Sequence, residues 1–215
     1  MRLTALAACC LVAACLSACQ SGSAVWSGEP ASGPAASPGG GEVHLATVAS
    51  RITGALGEVC QCRPRPESSG AGLELCGYPV QVEHTVELHA STNGQRVRIT
   101  SGMLGFFESD DELAFVLAHE LSHILLGHAG AFNGLSPRSA EEEADRLGIR
   151  IVLAAHFDTE RAAEFPERLV RSYPAAGGQN AIYPRPANRT AMIRSALRAD
   201  PGALAKLSLA GDCAQ

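Results

Sequence analysis

The sequence is short of positive charge and of long apolar runs. It has 17 Lys and Arg residues against 22 Asp and Glu, with a net charge of −5, and its basic residues form neither a cluster nor a stripe. Nothing therefore indicates a nucleic-acid partner. No internal repeat is present, and 215 residues fit a single domain. The apolar stretch near the N-terminus is too short to span a bilayer as a helix.

The N-terminal segment has the pattern of an export signal. A single positive charge precedes an apolar run over residues 3–16, which ends in small residues. The segment LSAC, which ends at Cys19, resembles the bacterial lipobox, in which the cysteine is acylated. The alternatives are a plain signal peptide cleaved near Ala18 and a weaker lipobox that ends at Cys15. We predict a lipoprotein signal peptide over residues 1–18.

The segment after this signal is composed almost wholly of Gly, Ser, Ala and Pro, which cannot bury enough apolar surface to fold. We predict a lipidated Cys19 with a flexible linker over residues 19–41, and a folded domain over 42–215. The lipid would attach the domain to a membrane of the bacterial cell envelope, facing the periplasm. Gln20 after the lipidated residue resembles outer-membrane lipoproteins of enterobacteria, so we predict the outer membrane.

Local patterns predict a mostly helical α+β domain with a small sheet. Alternating apolar residues over 80–88, the turn residues Asn93-Gly94 and a second alternating run over 96–100 predict a hairpin. A capping box at Ser109 predicts a helix that continues through His123. Further helices are predicted over 42–59, from Ser136-Pro137 onward, over about 159–172 and over 187–198.

The most specific pattern is His119, Glu120 and His123, followed on the next predicted helix by Glu141 and Asp145. Positions four apart share a helix face, so both imidazoles can reach one ion while Glu120 lies beside it. A hydrolytic zinc takes three protein ligands and one water, so we predict one Zn²⁺ held by His119, His123 and Glu141. Asp145 is predicted to accept a hydrogen bond from a ligand histidine, and Glu120 to be the general base.

These motifs resemble a known family. HELSHILLGH at 119–128 and EEEADRLG at 141–148 look like the gluzincin peptidases, which include the CAAX prenyl endoproteases, HtpX, Oma-type and BepA-like peptidases. RVRITSGML at 96–104 is similar to the family's edge strand and turn, and YPRPANR at 183–189 to its His-Pro segment and arginine. The resemblance covers about residues 43–200. It implies a zincin-like metallopeptidase domain with a small sheet beside the active-site helix.

The resemblance also implies roles outside the metal ligands. Arg189 matches an arginine expected to steady the substrate carbonyl or the oxyanion, a role suited to a fixed cation. Tyr183 stands where the family often has histidine; it can donate to an oxyanion but is a poor zinc ligand, and an ordinary loop aromatic is the equal alternative. His128 matches a common family histidine. It comes nine residues after His119, off the ligand face, so we predict a structural role.

Four cysteines remain in the predicted domain, and export to an oxidising compartment predicts that they form two disulfides. Three connectivities are possible, and we prefer Cys62 with Cys76 and Cys60 with Cys213. A second zinc site is the weaker alternative, because the usual two-residue spacing between cysteine ligands is absent.

These features predict a zinc metalloendopeptidase that cuts unfolded or misassembled envelope proteins. We expect an extended substrate to pair with an edge strand near Arg96–Thr100 and to present its carbonyl to the zinc. The alternative is an envelope assembly factor that binds client proteins and rarely cuts them. A purely structural zinc site is least favoured, because no fourth protein ligand is apparent.

Overall fold

The computed structural model describes residues 40–62, 66, 72–128, 134–172 and 186–199. These residues contain seven helices and four strands, and the predicted α+β class is confirmed. The helices are α1 (Gly40–Leu56), α2 (Glu58–Gln61), α3 (Ser101–Phe106), α4 (Asp110–Leu125), α5 (Pro137–Ala154), α6 (Thr159–Ser172) and α7 (Pro186–Ala199). The strands are β1 (Glu74–Leu75), β2 (Tyr78–Glu83), β3 (Ala90–Thr92) and β4 (Val97–Thr100).

The four strands form one mixed sheet in the order β1-β2-β4-β3. β2 runs parallel to β4, with Val80 opposite Val97 and Glu83 opposite Thr100. β3 runs antiparallel to β4 on its other side, with Thr92 opposite Val97. β4 is therefore an inner strand, and β3 is the edge strand that lies against α4.

The predicted hairpin has the predicted turn but a different first strand. The side chain of Asn93 accepts hydrogen bonds from the backbone N of Gln95 and Arg96, and Gly94 has a φ of 84°. The strand before this turn is β3, whereas the prediction had one continuous strand over residues 80–88. That continuous strand is wrong, because β2 ends at Glu83 and the chain crosses to the other side of β4 before it returns.

The crossing loop over residues 84–89 is fastened to the start of α3. The N of Gly102 donates to the O of Thr85 at 2.8 Å, and a Cβ on Gly102 would overlap the backbone O of Val86. Val86 is 68% exposed. The alternating apolar pattern therefore continues through this loop without forming a strand. The expectation of an edge strand at Arg96–Thr100 is also wrong, because β4 is paired on both sides.

Helix α4 lies at the centre of the domain. As predicted, Ser109 caps it, with Oγ accepting from the N of Glu112. Every side chain from Glu112 through Leu125 is buried, because α1, α5, α6 and the sheet pack around the helix. A polar group that is buried without a partner is costly, so the histidines of this helix need partners.

Helices α5 to α7 follow the predicted boundaries closely. Ser136 caps α5 by accepting from the N of Ser139 at 3.1 Å, and Pro137 is the first helical residue. Helix α7 packs against both α5 and α6. This packing carries Arg189, near the start of α7, to the buried face of α5.

The disulfide connectivity differs from our preference. Cys60 is bonded to Cys76, with a Cα–Cα distance of 4.8 Å, and the bond ties α2 to the turn between β1 and β2. The preferred pairs, Cys62 with Cys76 and Cys60 with Cys213, are therefore wrong. Cys62 is disulfide-bonded as well. Spacing in the sequence did not reveal that Cys60, on the inner face of α2, is the residue directed at β1.

The predicted signal peptide, Cys19 and the linker as far as residue 39 lie outside the described residues. Within the described ranges, none of the helices combines the length and the apolar character that a membrane span requires.

Candidate metal centre

Two histidines on one face of α4 converge. Nε2 of His119 lies 3.1 Å from Nε2 of His123, and the two rings meet nearly edge to face. Both side chains are buried. This arrangement follows directly from their spacing, because residues four apart lie one above the other on a helix.

Glu141 joins the two histidines from α5. Its Oε2 lies 3.2 Å from Nε2 of His119, and its Oε1 lies 3.5 Å from Nε2 of His123. The three residues can each offer one ligand atom, and these atoms lie within 4.8 Å of one another. The structure thus brings together the three residues predicted as metal ligands.

The two acidic neighbours of Glu141 face elsewhere. Glu142 is paired with Arg138 and Arg146, one helical turn away in each direction. Glu143 is directed at a histidine outside the group of three and is partly exposed. Of the three consecutive glutamates, Glu141 alone is brought to the histidine pair, because only its position faces α4.

The donor set fits a metal ion such as zinc. Two ligands each about 2.0 to 2.1 Å from a tetrahedral ion lie about 3.3 Å apart. The two Nε2 atoms are 3.1 Å apart. Oε2 of Glu141 is buried without a hydrogen-bond partner among the described residues, which is rare for a buried oxygen. One cation held between the three side chains would account for both observations.

Helices α4 and α5 approach closely at Gly148. A Cβ at this position would lie 3.2 Å from the Cα and the N of His119. Contacts this short are uncommon, so a larger residue would press the two backbones apart. The absence of a side chain at Gly148 therefore lets Glu141 and Asp145 reach the ligand histidines.

Asp145 orients His119. Its Oδ1 lies 3.0 Å from Nδ1 of His119, which carries the proton when Nε2 binds a metal. Arg189 donates from Nε to Oδ2 at 2.6 Å and from Nη2 to Oδ1 at 2.7 Å. Burial would raise the pKa of Asp145, but the charge of Arg189 and the bonds from His119 and Arg189 lower it. Asp145 is therefore held as a carboxylate.

These contacts give Arg189 a role that the sequence did not predict. Its Nε and Nη2 are directed at Asp145, so it positions the carboxylate that positions His119. Its side chain is 5% exposed. Contact between Arg189 and a substrate remains a prediction.

The pKa values of His119 and Glu141 determine the charge state of the metal-free site. Burial would lower the pKa of His119, but the hydrogen bond to Asp145 and the close carboxylate of Glu141 outweigh it and raise the pKa to about 10. Burial would raise the pKa of Glu141, but the close contacts with His119 and His123 lower it well below its usual range. Without a metal, the site therefore holds a charged His119 against an ionised Glu141.

His128 contacts His123 on the side away from the metal ligands. Nδ1 of His128 lies 3.1 Å from Nδ1 of His123, and Nε2 of His128 lies 3.3 Å from Oε2 of Glu143. Burial lowers the pKa of His128, and the neighbouring His123 lowers it further. The helical phase of residue 128 predicts a position off the ligand face, and His128 lies outside the group of three ligands. That phase has no meaning after α4 ends, and Gly127, with a φ of 71°, is the signal that the chain turns back there.

Glu120 is 4% exposed and lies within electrostatic range of the histidine pair. Burial raises the pKa of Glu120, while the charges of His119 and His123 lower it in part. A carboxylate with a raised pKa is a stronger base than an exposed one, which suits the predicted transfer of a proton from water.

Comparison with known proteins agrees with this geometry. Residues 88–135 match the family model described as Peptidase family M48. The matched segment begins just before β3 and ends just before Ser136, the cap of α5, so it includes His119, Glu120 and His123 but not Glu141. The predicted resemblance to the M48 gluzincin metallopeptidases is thereby confirmed, and the family supports a metallopeptidase function. A comparison with curated proteins finds no match.

Three predicted site residues fall outside this geometry. Tyr183 and Cys213 lie outside the described residues, as does the predicted lipidation site Cys19.

Proposed function

We propose that the protein is a zinc-dependent metalloendopeptidase. The observation that carries the proposal is the convergence of His119, His123 and Glu141 on one buried point, with the buried acid Glu120 directly after His119 in the chain. Three protein ligands leave one position for water or substrate, which distinguishes a hydrolytic zinc from a structural one.

Each residue of the site has a defined task in peptide hydrolysis. His119, His123 and Glu141 would hold the zinc ion, which when bound would lower the pKa of a water and polarise the scissile carbonyl. Glu120 accepts the proton of the attacking water and delivers it to the leaving amine. Asp145 keeps the proton of His119 on Nδ1, so that Nε2 presents its lone pair. Arg189 keeps Asp145 ionised.

We further propose that an extended polypeptide substrate pairs with β3. This strand is the edge of the sheet on the side of α4, and edge strands can accept an added strand through main-chain hydrogen bonds. The three residues of β3 are buried in this structure, so pairing requires their outer edge to become accessible. Unfolded or misassembled proteins of the cell envelope would supply such extended segments. The envelope context rests on the lipobox-like sequence before Cys19, which would attach the domain to the outer membrane, facing the periplasm.

The catalytic part of the proposal is tested with a pair of matched variants. Glu120→Gln should retain zinc and lose casein cleavage, because the amide keeps the shape of the side chain but cannot accept the proton. Glu142→Gln is the control, since Glu142 pairs only with exposed arginines on its own helix, and it should cleave normally. Cleavage that survives Glu120→Gln would overturn the mechanism. Zinc binding without cleavage of any unfolded protein would instead favour the client-binding assembly factor.

The location is tested separately. Cells that express the full chain should incorporate radiolabelled palmitate into it, and Cys19→Ser should abolish the label and release the protein from the membrane fraction. Labelling that persists in Cys19→Ser would show that Cys19 is not the acylated residue.

A further inference from the structure

The end of α4 brings one histidine back onto another. The N of Gly127 donates to the O of Ile124 at 3.1 Å, and the N of His128 donates to the O of His123 at 2.9 Å. This pair of bonds, with a glycine in the left-handed region between them, is the Schellman ending of a helix. In this ending, the second residue past the cap residue often contacts the side chain five positions before it. Here both positions are histidine.

The hydrogen bonds of this pair determine where each proton lies. A histidine that binds metal through Nε2 carries its proton on Nδ1. Nδ1 of His123 faces Nδ1 of His128 at 3.1 Å, so His123 donates and His128 accepts. The proton of His128 must then be on Nε2, which faces a carboxylate oxygen of Glu143 at 3.3 Å. Every N–H in the series from His123 to Glu143 thus has an acceptor.

We propose that His128 and Glu143 are positioning residues for the metal ligand His123. The inference rests on the proposed metal site and concerns its affinity for the metal. Without an acceptor at Nδ1, the ring of His123 is free to turn and to place its proton on Nε2, which would remove the lone pair that the metal needs.

The geometry resembles the support of the other ligand histidine. Nδ1 of His119 donates to Asp145, whose side chain is 0% exposed. His123 instead donates to the neutral ring of His128. His128 in turn donates to Glu143, whose side chain is 43% exposed. A substitution at this surface end can therefore weaken the support of His123 while the packing of the core stays intact.

The zinc dissociation constant of the full chain, measured by competition with a chromophoric chelator, tests the proposal. His128→Leu removes the acceptor and should weaken zinc binding by roughly 10-fold to 100-fold. His128→Asn places an amide oxygen near the position of Nδ1 and should restore most of the affinity. Glu143→Ala should weaken binding by about 10-fold. Glu142→Ala, the matched control at the preceding residue, should leave the affinity unchanged.

The outcomes separate this proposal from the proposed function. Unchanged affinity in His128→Leu and Glu143→Ala overturns the positioning role, and Glu143→Ala alone decides if His128→Leu does not fold. Equal losses in His128→Leu and His128→Asn, with Glu143→Ala unaffected, would make His128 a packing residue and also overturn it. In both cases the proposed metal site would still be supported if the wild type binds zinc and Glu141→Gln does not. A wild type that binds no zinc overturns the proposed function.

Discussion

Arg189 and Asp145 form a bidentate ion pair inside the domain, with donor–acceptor distances of 2.6 and 2.7 Å. Asp145 lies on α5 and Arg189 on α7, and both side chains are almost completely buried. The pair therefore joins two helices as well as supporting His119.

Removing the cation from this pair should destabilise the fold. We expect Arg189→Met to lower the free energy of unfolding by about 3 to 5 kcal/mol, because it leaves a buried carboxylate without its partner. Urea denaturation of the metal-free protein measures this loss. Arg194→Met on the same helix is the control, and its loss should be far smaller, because Arg194 pairs with exposed Glu160 and Glu164. Equal losses in the two variants would contradict the structural role of Arg189.

Substituting two helical glycines should have effects of opposite sign. Gly148→Ala should destabilise the protein by about 1 to 3 kcal/mol and weaken zinc binding, since its Cβ would press on the backbone of His119. Gly54→Ala should stabilise the protein by about 0.5 to 1 kcal/mol, because nothing lies within 4 Å of the added Cβ and alanine favours the helix. Urea denaturation and a zinc competition assay measure both variants. A stabilised Gly148→Ala protein with normal zinc affinity would show that the close contact of α4 and α5 at Gly148 is not required.

The stability of the metal-free protein should fall as the pH rises. The folded-state pKa of His119 is about 10, above its ordinary value of 6.5, so the folded protein holds this proton more tightly than the unfolded chain. The resulting stabilisation is complete below about pH 6.5 and is lost as the pH rises towards about 10. Melting temperatures measured in chelator across this range should decrease, and His119→Gln should flatten the trend. A melting temperature that rises with pH in the wild type would contradict the expectation.

The disulfide between Cys60 and Cys76 should contribute substantially to stability. The two residues are 16 apart in sequence, and closing a loop of that length stabilises a fold by about 3 kcal/mol through the unfolded state. We expect the double variant Cys60→Ala/Cys76→Ala to lose about 2 to 4 kcal/mol in urea denaturation without reductant. A loss within experimental error would mean that the bond is dispensable.

The sequence predicted those parts of the site whose geometry depends on a single helix. The spacing of four between His119 and His123, and between Glu141 and Asp145, fixes a shared face without any knowledge of the fold. The caps at Ser109 and Ser136 likewise placed the two helices that carry them. Local backbone geometry was sufficient for these predictions.

The predictions that failed depend on contacts between distant segments. The alternation over residues 80–88 did not reveal that the chain leaves the sheet and crosses the end of β4. The positions of Cys60 and Cys62 did not show which sulfur faces β1. In each case the deciding fact was where the chain turns, which spacing alone does not encode.

The position of Arg189 near the start of α7 has a consequence for the order of events during biosynthesis. The ligand residues and Glu120 lie between 119 and 141, but Arg189, which forms the bidentate ion pair with Asp145, comes 44 residues after it. A growing chain thus exposes both histidines and Glu120 well before the segment that completes their support is synthesised. The support of His119 through Asp145 is complete only when α7 is in place, so a chain that ends before this helix would lack the ion pair that holds Asp145.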